Sequence, residues 1–353
     1  MVLPVVFVLI GVVLLAKAAD EFVVGAATMA IKLRISPVVI GAVIVGFGTS
    51  LPEMLVSGLA AGRGDRDLGV GNVIGSNVAN LSLVLGVAAL IMAIPVDRAT
   101  MRREAPLSLL SVGLFALLVQ DGFERWEGVV LAVALVTALF IILRAEVAGG
   151  DPIVEQLEEL PLEEDKPVRV VLFRTFLGLA GTVLGAQLLV EGALDIAEEV
   201  GLGAGFVGLT LVAIGTSLPE LVTAVIAARK GETGLIVGNL LGSNLFNSLA
   251  VGAVIGLIGP GPLIDSNLAG LATWIMVGVS VAGALFMFTG LKVVRWEAAL
   301  LLVVYVATIP FLVSDDEDEE GSVGSQAVIA EVQPDAGAAD PAGAGSSALS
   351  SPA

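Results

Sequence analysis

The sequence predicts an all-α membrane protein of ten transmembrane helices in two inverted five-helix repeats. Three observations predict it. Of 353 residues, 56% are apolar and only 15% charged, with a mean hydropathy of +0.98, whereas a soluble domain averages about a quarter charged. Apolar runs recur along the whole chain, each of about 17–25 residues and long enough to cross a hydrocarbon core of roughly 30 Å. Residues 41–86 align without a gap to 208–253 at a constant offset of 167, with 20 of 46 positions identical.

The runs fall at approximately 2–17, 36–61, 68–94, 104–120, 127–144, 169–194, 203–228, 234–259, 268–290 and 297–313. Five lie on each side of the one long connection. The expected organisation is therefore a first repeat over 1–144, an acidic cytoplasmic hinge over 145–167, a second repeat over 168–313 and a disordered acidic tail over 314–353. Gly25-Ala26 matches Gly192-Ala193 at the same offset and carries the repeat register back into the first helix of each half. The offset spans five helices, an odd number, so the second copy must enter the membrane from the opposite side, as in many secondary transporters.

Charge supports the same layout. Acids outnumber bases 35 to 17, but eight acids sit in 145–167 and nine after residue 314, which leaves a nearly neutral body of 18 acids and 16 bases. Of the 17 bases, 14 flank loops on one side of the predicted bundle, and only Arg63, Arg66 and Arg125 flank the other. The positive-inside rule then puts both termini outside a multi-pass protein of the cell membrane. Trp126 and Trp296 stand at predicted helix starts, where interfacial anchors belong. The negative balance argues against nucleic acid as a partner. Besides the lipid bilayer, no obligatory protein partner is evident.

The chain holds no cysteine and no histidine. Disulfides, thiolate metal sites and imidazole chemistry are therefore excluded. No general base accompanies the serines, so the chain reads as a non-enzyme without cofactor. What remains is the duplicated block. GTSLPE occurs at 48–53 and 215–220, and GNVIGSNVAN at 71–80 matches GNLLGSNLFN at 238–247. Each GTSLPE lies inside an apolar run, which puts Glu53 and Glu220 near mid-bilayer. An ionised group there costs roughly 2.5–3.5 kcal/mol on insertion scales.

A divalent cation gives both glutamates one reason to be there. Two carboxylates offer four oxygens and cancel a charge of +2, and calcium needs six to eight oxygen ligands. Pro52 and Pro219 lack an amide hydrogen, so each frees a carbonyl one turn earlier, at Gly48 and Gly215. Thr49, Ser50, Thr216 and Ser217 stand beside them. The GSN segments add Ser76, Asn77 and Asn80, and Ser243, Asn244 and Asn247; Ser76 with Asn80, and Ser243 with Asn247, share a helix face. Neutral oxygens of this kind suit sodium. Gly71, Gly75, Gly238 and Gly242 leave room for close helix approach. For any single serine, threonine or glycine, packing and interhelical hydrogen bonding is the competing explanation.

On these paired GTSLPE and GSN blocks, residues 1–313 resemble the calcium/cation antiporter superfamily, specifically the prokaryotic sodium/calcium exchangers. The resemblance implies the sodium/calcium exchanger fold, with alternating access to a central cluster of four cation sites. Carried over, Glu53 and Glu220 would bind calcium with the carbonyls of Thr49 and Thr216. Sodium would use the carbonyls of Gly46 and Ala213 with Ser50, Ser217, Ser76 and Ser243. Asn80 and Asn247 would form the central polar pair. Many members carry Asp where this chain has Asn247, so any role of that carboxylate is absent here. The transported substrates implied are calcium and sodium ions, with calcium normally extruded. The alternative is calcium/proton antiport at the same glutamate pair.

Overall fold

The computed structural model describes residues 2–33, 48, 50–146, 165–231 and 233–312. The described residues are built almost wholly into helices. α1 is Val2–Lys32, α2 Leu51–Arg63, and α3 runs as Arg66–Ala79, a π turn Asn80–Val84, and Leu85–Ile91. α4 is Arg98–Leu118, α5 Arg125–Glu146 and α6 Val168–Val200. α7 is Ala204–Thr216 and α8 Leu218–Lys230. α9 runs as Thr233–Phe246, a π turn Asn247–Val251, and Gly252–Ile258. α10 is Thr273–Phe288 and α11 Arg295–Thr308. A two-stranded antiparallel ladder joins β1, Ile94–Pro95, to β2, Lys292–Val293, pairing Ile94 with Val293 and Pro95 with Lys292.

Among the described residues, six helices are long and apolar enough to cross a membrane, and the α7–α8 pair, bent by 43°, makes a seventh. Two other segments expected to span fall short of that mark for visible reasons. The first turns of α4 carry Arg98, Arg102, Arg103 and Glu104, and α11 has only 14 residues before a short turn at Ile309–Leu312. Residues 34–47, with the first half of the second expected segment, lie outside the described residues, as do 147–164 of the hinge and the tail from 313.

Two helices are longer than their apolar runs. α1 continues from the expected end at 17 to Lys32, and α6 continues from 194 to Val200. Lys17, Asp20 and Glu21 interrupt the hydropathy of α1, yet an alanine-rich segment follows and the helix goes on. Glu21 does not end a helix; it pairs with Arg174 on α6.

α1 and α6 are corresponding helices of the two halves, and they pack antiparallel. A Cβ on Gly185 would stand 2.6 Å from the Leu15 nitrogen, one on Gly178 2.6 Å from the Phe22 nitrogen, and one on Gly192 2.6 Å from the Pro4 carbonyl. Side chains are excluded from this seam because the backbones themselves touch.

Large apolar side chains such as Leu110, Phe140, Phe176, Leu285 and Val303 face outward, whereas Glu53, Asn72, Asn77, Asn80, Glu220, Asn244 and Asn247 are buried. This polarity suits lipid outside and polar contacts inside. α3 and α9 form the centre: 78% of the apolar window of each is buried, against 17% for α5 and 22% for α6.

The two halves share backbone details at the offset of 167. Ser50 precedes α2 and Ser217 precedes α8 in matching non-helical conformations, at φ −93°, ψ 7° and φ −87°, ψ 4°. Gly64 and Gly231 close α2 and α8 in the left-handed region, at φ 97° and 84°, where a glycine carries no Cβ penalty. The π turns open at Asn80 and at Asn247.

On one face of the bundle the connection from α9 to α10 is clasped by the start of α3. Arg66 Nε donates to the Gly259 carbonyl at 2.9 Å and to that of Pro260 at 3.2 Å. The Asp67 carboxylate accepts the backbone N–H groups of Ile264 at 3.1 Å and Asp265 at 2.9 Å.

Candidate cation site

The broken helices set the glutamates. Leu51-Pro52 and Leu218-Pro219 occupy the first two positions of α2 and α8, where a missing amide hydrogen costs nothing. One position further on, Glu53 and Glu220 lie in the first turn, where the helix dipole favours a negative group. Both side chains are buried, at 0% and 2% exposure.

The Glu53 and Glu220 carboxylates lie within electrostatic reach of each other, with Thr216 and Ser217 beside Glu53, and with Ser243 and the Asp20 carboxylate of α1 within reach of Glu220. Even so, none of their four oxygens has a hydrogen-bond partner of good geometry. The same holds for the hydroxyls of Ser50, Ser217 and Ser243, for the side-chain oxygens of Asn77 and Asn80, and for both polar atoms of Asn247. Buried polar groups are normally satisfied. Here a concentration of unsatisfied oxygens coincides with the duplicated motifs.

Other expected residues are engaged. Thr216 donates to the side-chain oxygen of Asn72 at 3.1 Å and approaches the Ser76 hydroxyl at 3.5 Å. The Ala213 carbonyl accepts the Ser217 N–H at 3.0 Å and lies 3.3 Å from the Thr216 hydroxyl. Asn80 donates to the side-chain oxygen of Asn244 at 3.0 Å, and Asn244 donates to the Asn77 carbonyl at 3.2 Å. These bonds stitch α3 to α9. Gly46 and Thr49 lie outside the described residues.

Asn72 was absent from the expected site and is central to its frame. Its amide nitrogen donates to the Ser57 hydroxyl at 3.0 Å and points to the Glu53 carbonyl at 3.5 Å, while its oxygen receives Thr216. One buried side chain thus ties α2, α3 and α7 together. The available signal was its duplication: Asn239 stands at the matching position of the second half. The matching partner is lost, because residue 224 is alanine where the first half has Ser57.

The glycines of α3 act as the sequence suggests. A Cβ on Gly71 would stand 2.4 Å from the Gly205 carbonyl, and one on Gly75 2.2 Å from that of Leu209. Thus α7 lies directly against α3 and brings Thr216 to Asn72 and Ser76.

Chemically, this centre can neutralise and coordinate a small hard cation. Two carboxylates and neutral hydroxyl and amide oxygens are gathered there from both halves, and no described Lys or Arg is buried with them.

Comparison with known proteins points the same way. The sodium/calcium exchanger protein family model matches residues 3–144 and 170–313. The sodium/calcium exchanger MaX1 of Methanosarcina acetivorans is 32% identical over 339 residues, covering 86% of this chain and 97% of its own. The inner membrane protein YrbG of Escherichia coli is 38% identical over 271 residues, covering 74% and 82%. A solved structure of the sodium-calcium exchanger NCX_Mj, soaked with sodium and strontium, matches with a TM-score of 0.60 at 33% identity, over 88% of this chain and 98% of that one. Family model, long relatives and shared fold agree: the chain is a multi-pass membrane protein that belongs to the sodium/calcium exchanger family.

Proposed function

We propose that this protein exchanges calcium for sodium across the cell membrane by alternating access, with Glu53 and Glu220 as the carboxylates for which the two ions compete. One observation carries the reading: most of the buried side-chain oxygens without hydrogen-bond partners, those of Glu53, Glu220, Ser50, Ser217, Ser243, Asn77, Asn80 and Asn247, fall within the duplicated motifs, while Ser280 lies outside them. Leaving such groups unsatisfied inside a protein is costly, and a cation supplies the missing partner. Thr49, Thr216, Ser76, Gly46 and Ala213 complete the proposed ligand set. The antiparallel packing of α1 on α6 supports reading the chain as ten helices in two inverted repeats.

Bound calcium would leave two carboxylates neutral, and three sodium ions would leave the site at +1. Such a cycle moves one charge, and each 100 mV then contributes about 2.3 kcal/mol. An inward sodium gradient and a negative interior would together drive calcium out. With both termini outside, the basic loops face the cytoplasm.

The test is calcium uptake into vesicles containing the purified protein. One arm imposes a sodium gradient at equal pH, the other a pH gradient without sodium. Uptake in the first arm is expected. Uptake in the second arm alone would replace sodium by protons as the counter-ion, and uptake without any gradient of a counter-ion would indicate a channel.

A further inference from the structure

We infer that the cavity between the start of α4 and the end of α10 is a binding site for the headgroup of an anionic membrane phospholipid. The cavity has a volume of about 490 Å³ and is lined by Arg98, Met101, Arg102, Phe288, Gly290 and Leu291. It is separate from the cation site and serves a different ligand.

Arg98 and Arg102 are four residues apart, so both guanidinium groups project from one face of α4. Both are exposed, and neither has a hydrogen bond or ion pair with another described residue. The acids nearest in sequence, Asp97 and Glu104, do not line the cavity. A guanidinium presents its donors in a rigid fork that matches phosphate oxygens, so two free forks in one cavity select a phosphate group.

The rest of the lining is apolar, which a free inorganic anion would not use. Met101, Phe288 and Leu291 offer surface to a glycerol backbone and the start of an acyl chain. Phe288 and Leu285 continue outward as exposed apolar side chains along α10. The level in the membrane also fits. Trp296, exposed at the start of α11, meets Phe286 edge-on at 6.1 Å between ring centres, the aromatic arrangement found at headgroup depth.

The cavity wall is fixed by backbone. Gly290 and Leu291 both adopt left-handed conformations, at φ 74° and φ 51°, and Leu291 is the one described non-glycine residue with positive φ. The Leu291 carbonyl accepts the Val96 N–H at 2.9 Å, immediately beside the β1–β2 ladder. A leucine held in this conformation marks a place where local preference has been overridden.

Native mass spectrometry of the full chain in detergent tests the site. Phosphatidylglycerol, phosphatidylcholine and inorganic phosphate are titrated separately against the wild type, an R98A/R102A variant and, as a control for charge on the other face, an R63A/R125A variant. The wild type is expected to retain phosphatidylglycerol over phosphatidylcholine. R98A/R102A should lose that preference by roughly tenfold or more, the size expected for two basic residues at an anionic surface, and R63A/R125A should keep it. Unchanged preference in R98A/R102A would overturn the assignment. So would displacement of phosphatidylglycerol by inorganic phosphate at equal concentration, since the apolar lining would then contribute nothing. If R98A/R102A does not yield monodisperse protein, R98Q/R102Q replaces it, with the same two outcomes.

Discussion

Asn80 on α3 donates a side-chain N–H to the amide oxygen of Asn244 on α9 at 3.0 Å. A shift of 167 residues converts this pair into Asn247 and Asn77, and there the bond is not made: neither polar atom of Asn247 nor the side-chain oxygen of Asn77 has a partner. The surroundings of the two acceptors differ. The Asn77 amide nitrogen donates to the Ser248 hydroxyl at 3.2 Å, whereas the residue matching Ser248 in the first half is Leu81, which offers Asn244 nothing comparable. The halves therefore present one tethered and one untethered asparagine to the same centre.

Asn244→Ala is expected to destabilise the protein by about 1–3 kcal/mol, because it strands the buried Asn80 amide nitrogen and takes one of two donors from the Asn77 carbonyl. Thermal unfolding in detergent measures this. An unchanged midpoint would mean that the bonds across α3 and α9 carry no net stability.

Glu53→Gln and Glu220→Gln keep shape and remove one charge each. Each is expected to weaken calcium binding at least about 100-fold, the scale of removing one partner from a buried charge pair, and to abolish sodium-driven calcium flux. Calorimetric titration with calcium and vesicle uptake are the measurements. Full transport by both variants would remove the glutamate pair from the mechanism.

How much of this could be read beforehand differs by feature. The apolar runs marked the helices that are long enough to span, and the GTSLPE and GSN duplications marked most of the buried oxygens that lack hydrogen-bond partners, since lipid and a buried charge each demand something visible in composition. The extension of α1 to Lys32 was hidden, because Lys17, Asp20 and Glu21 lower hydropathy without stopping a helix. The π turns at Asn80 and Asn247 depend on one extra residue per turn in an otherwise regular helix, for which no residue type codes. The β1–β2 ladder joins two-residue strands almost 200 positions apart, and such pairing is set by helix placement. Asn72 was visible only as a repeated letter, and its role follows from which helices surround it.

Asn72 and Ser57 make a prediction from this asymmetry. Ser57→Ala reproduces what the second half already has at Ala224, and is expected to cost about 1–2 kcal/mol, the net value of its two hydrogen bonds, one from Asn72 at 3.0 Å and one to the Gly69 carbonyl at 3.2 Å. Asn72→Leu removes the shared partner of Ser57 and Thr216 and should lower both stability and calcium affinity. The two variants compared by thermal unfolding and calcium titration separate a frame residue from a dispensable contact. Equal effects would contradict that division.

The α1–α6 seam gives a steric prediction with an internal control. Gly185→Ala sets a Cβ 2.6 Å from the Leu15 nitrogen, with backbone on the far side that cannot rotate away. It is expected to destabilise by about 1–3 kcal/mol. Gly113→Ala, on α4 with nothing within 4 Å of the new carbon, should stabilise by about 0.5–1 kcal/mol by removing backbone freedom from the unfolded chain. Opposite shifts in unfolding temperature are the expected result.

Asn247→Asp tests how the proposed centre handles charge. In the wild type residue 247 cannot ionise, so one calcium and two ionised glutamates sum to zero. The aspartate adds a group with two states. Protonated, it is neutral and close in shape to the amide, and the variant should bind calcium much as the wild type does. Ionised, it adds a negative charge beside the cation, so affinity should rise and release should slow. The ratio of variant to wild-type calcium affinity is therefore expected to approach one at the acidic end and to increase as pH rises through the titration of the new carboxyl. Taking the ratio removes the part of the pH dependence that Glu53 and Glu220 contribute equally in both proteins, and any coupling of the new carboxyl to them stays within the ratio. Calcium binding isotherms across a pH series provide the measurement, and a ratio that stays flat would place residue 247 away from the bound ion.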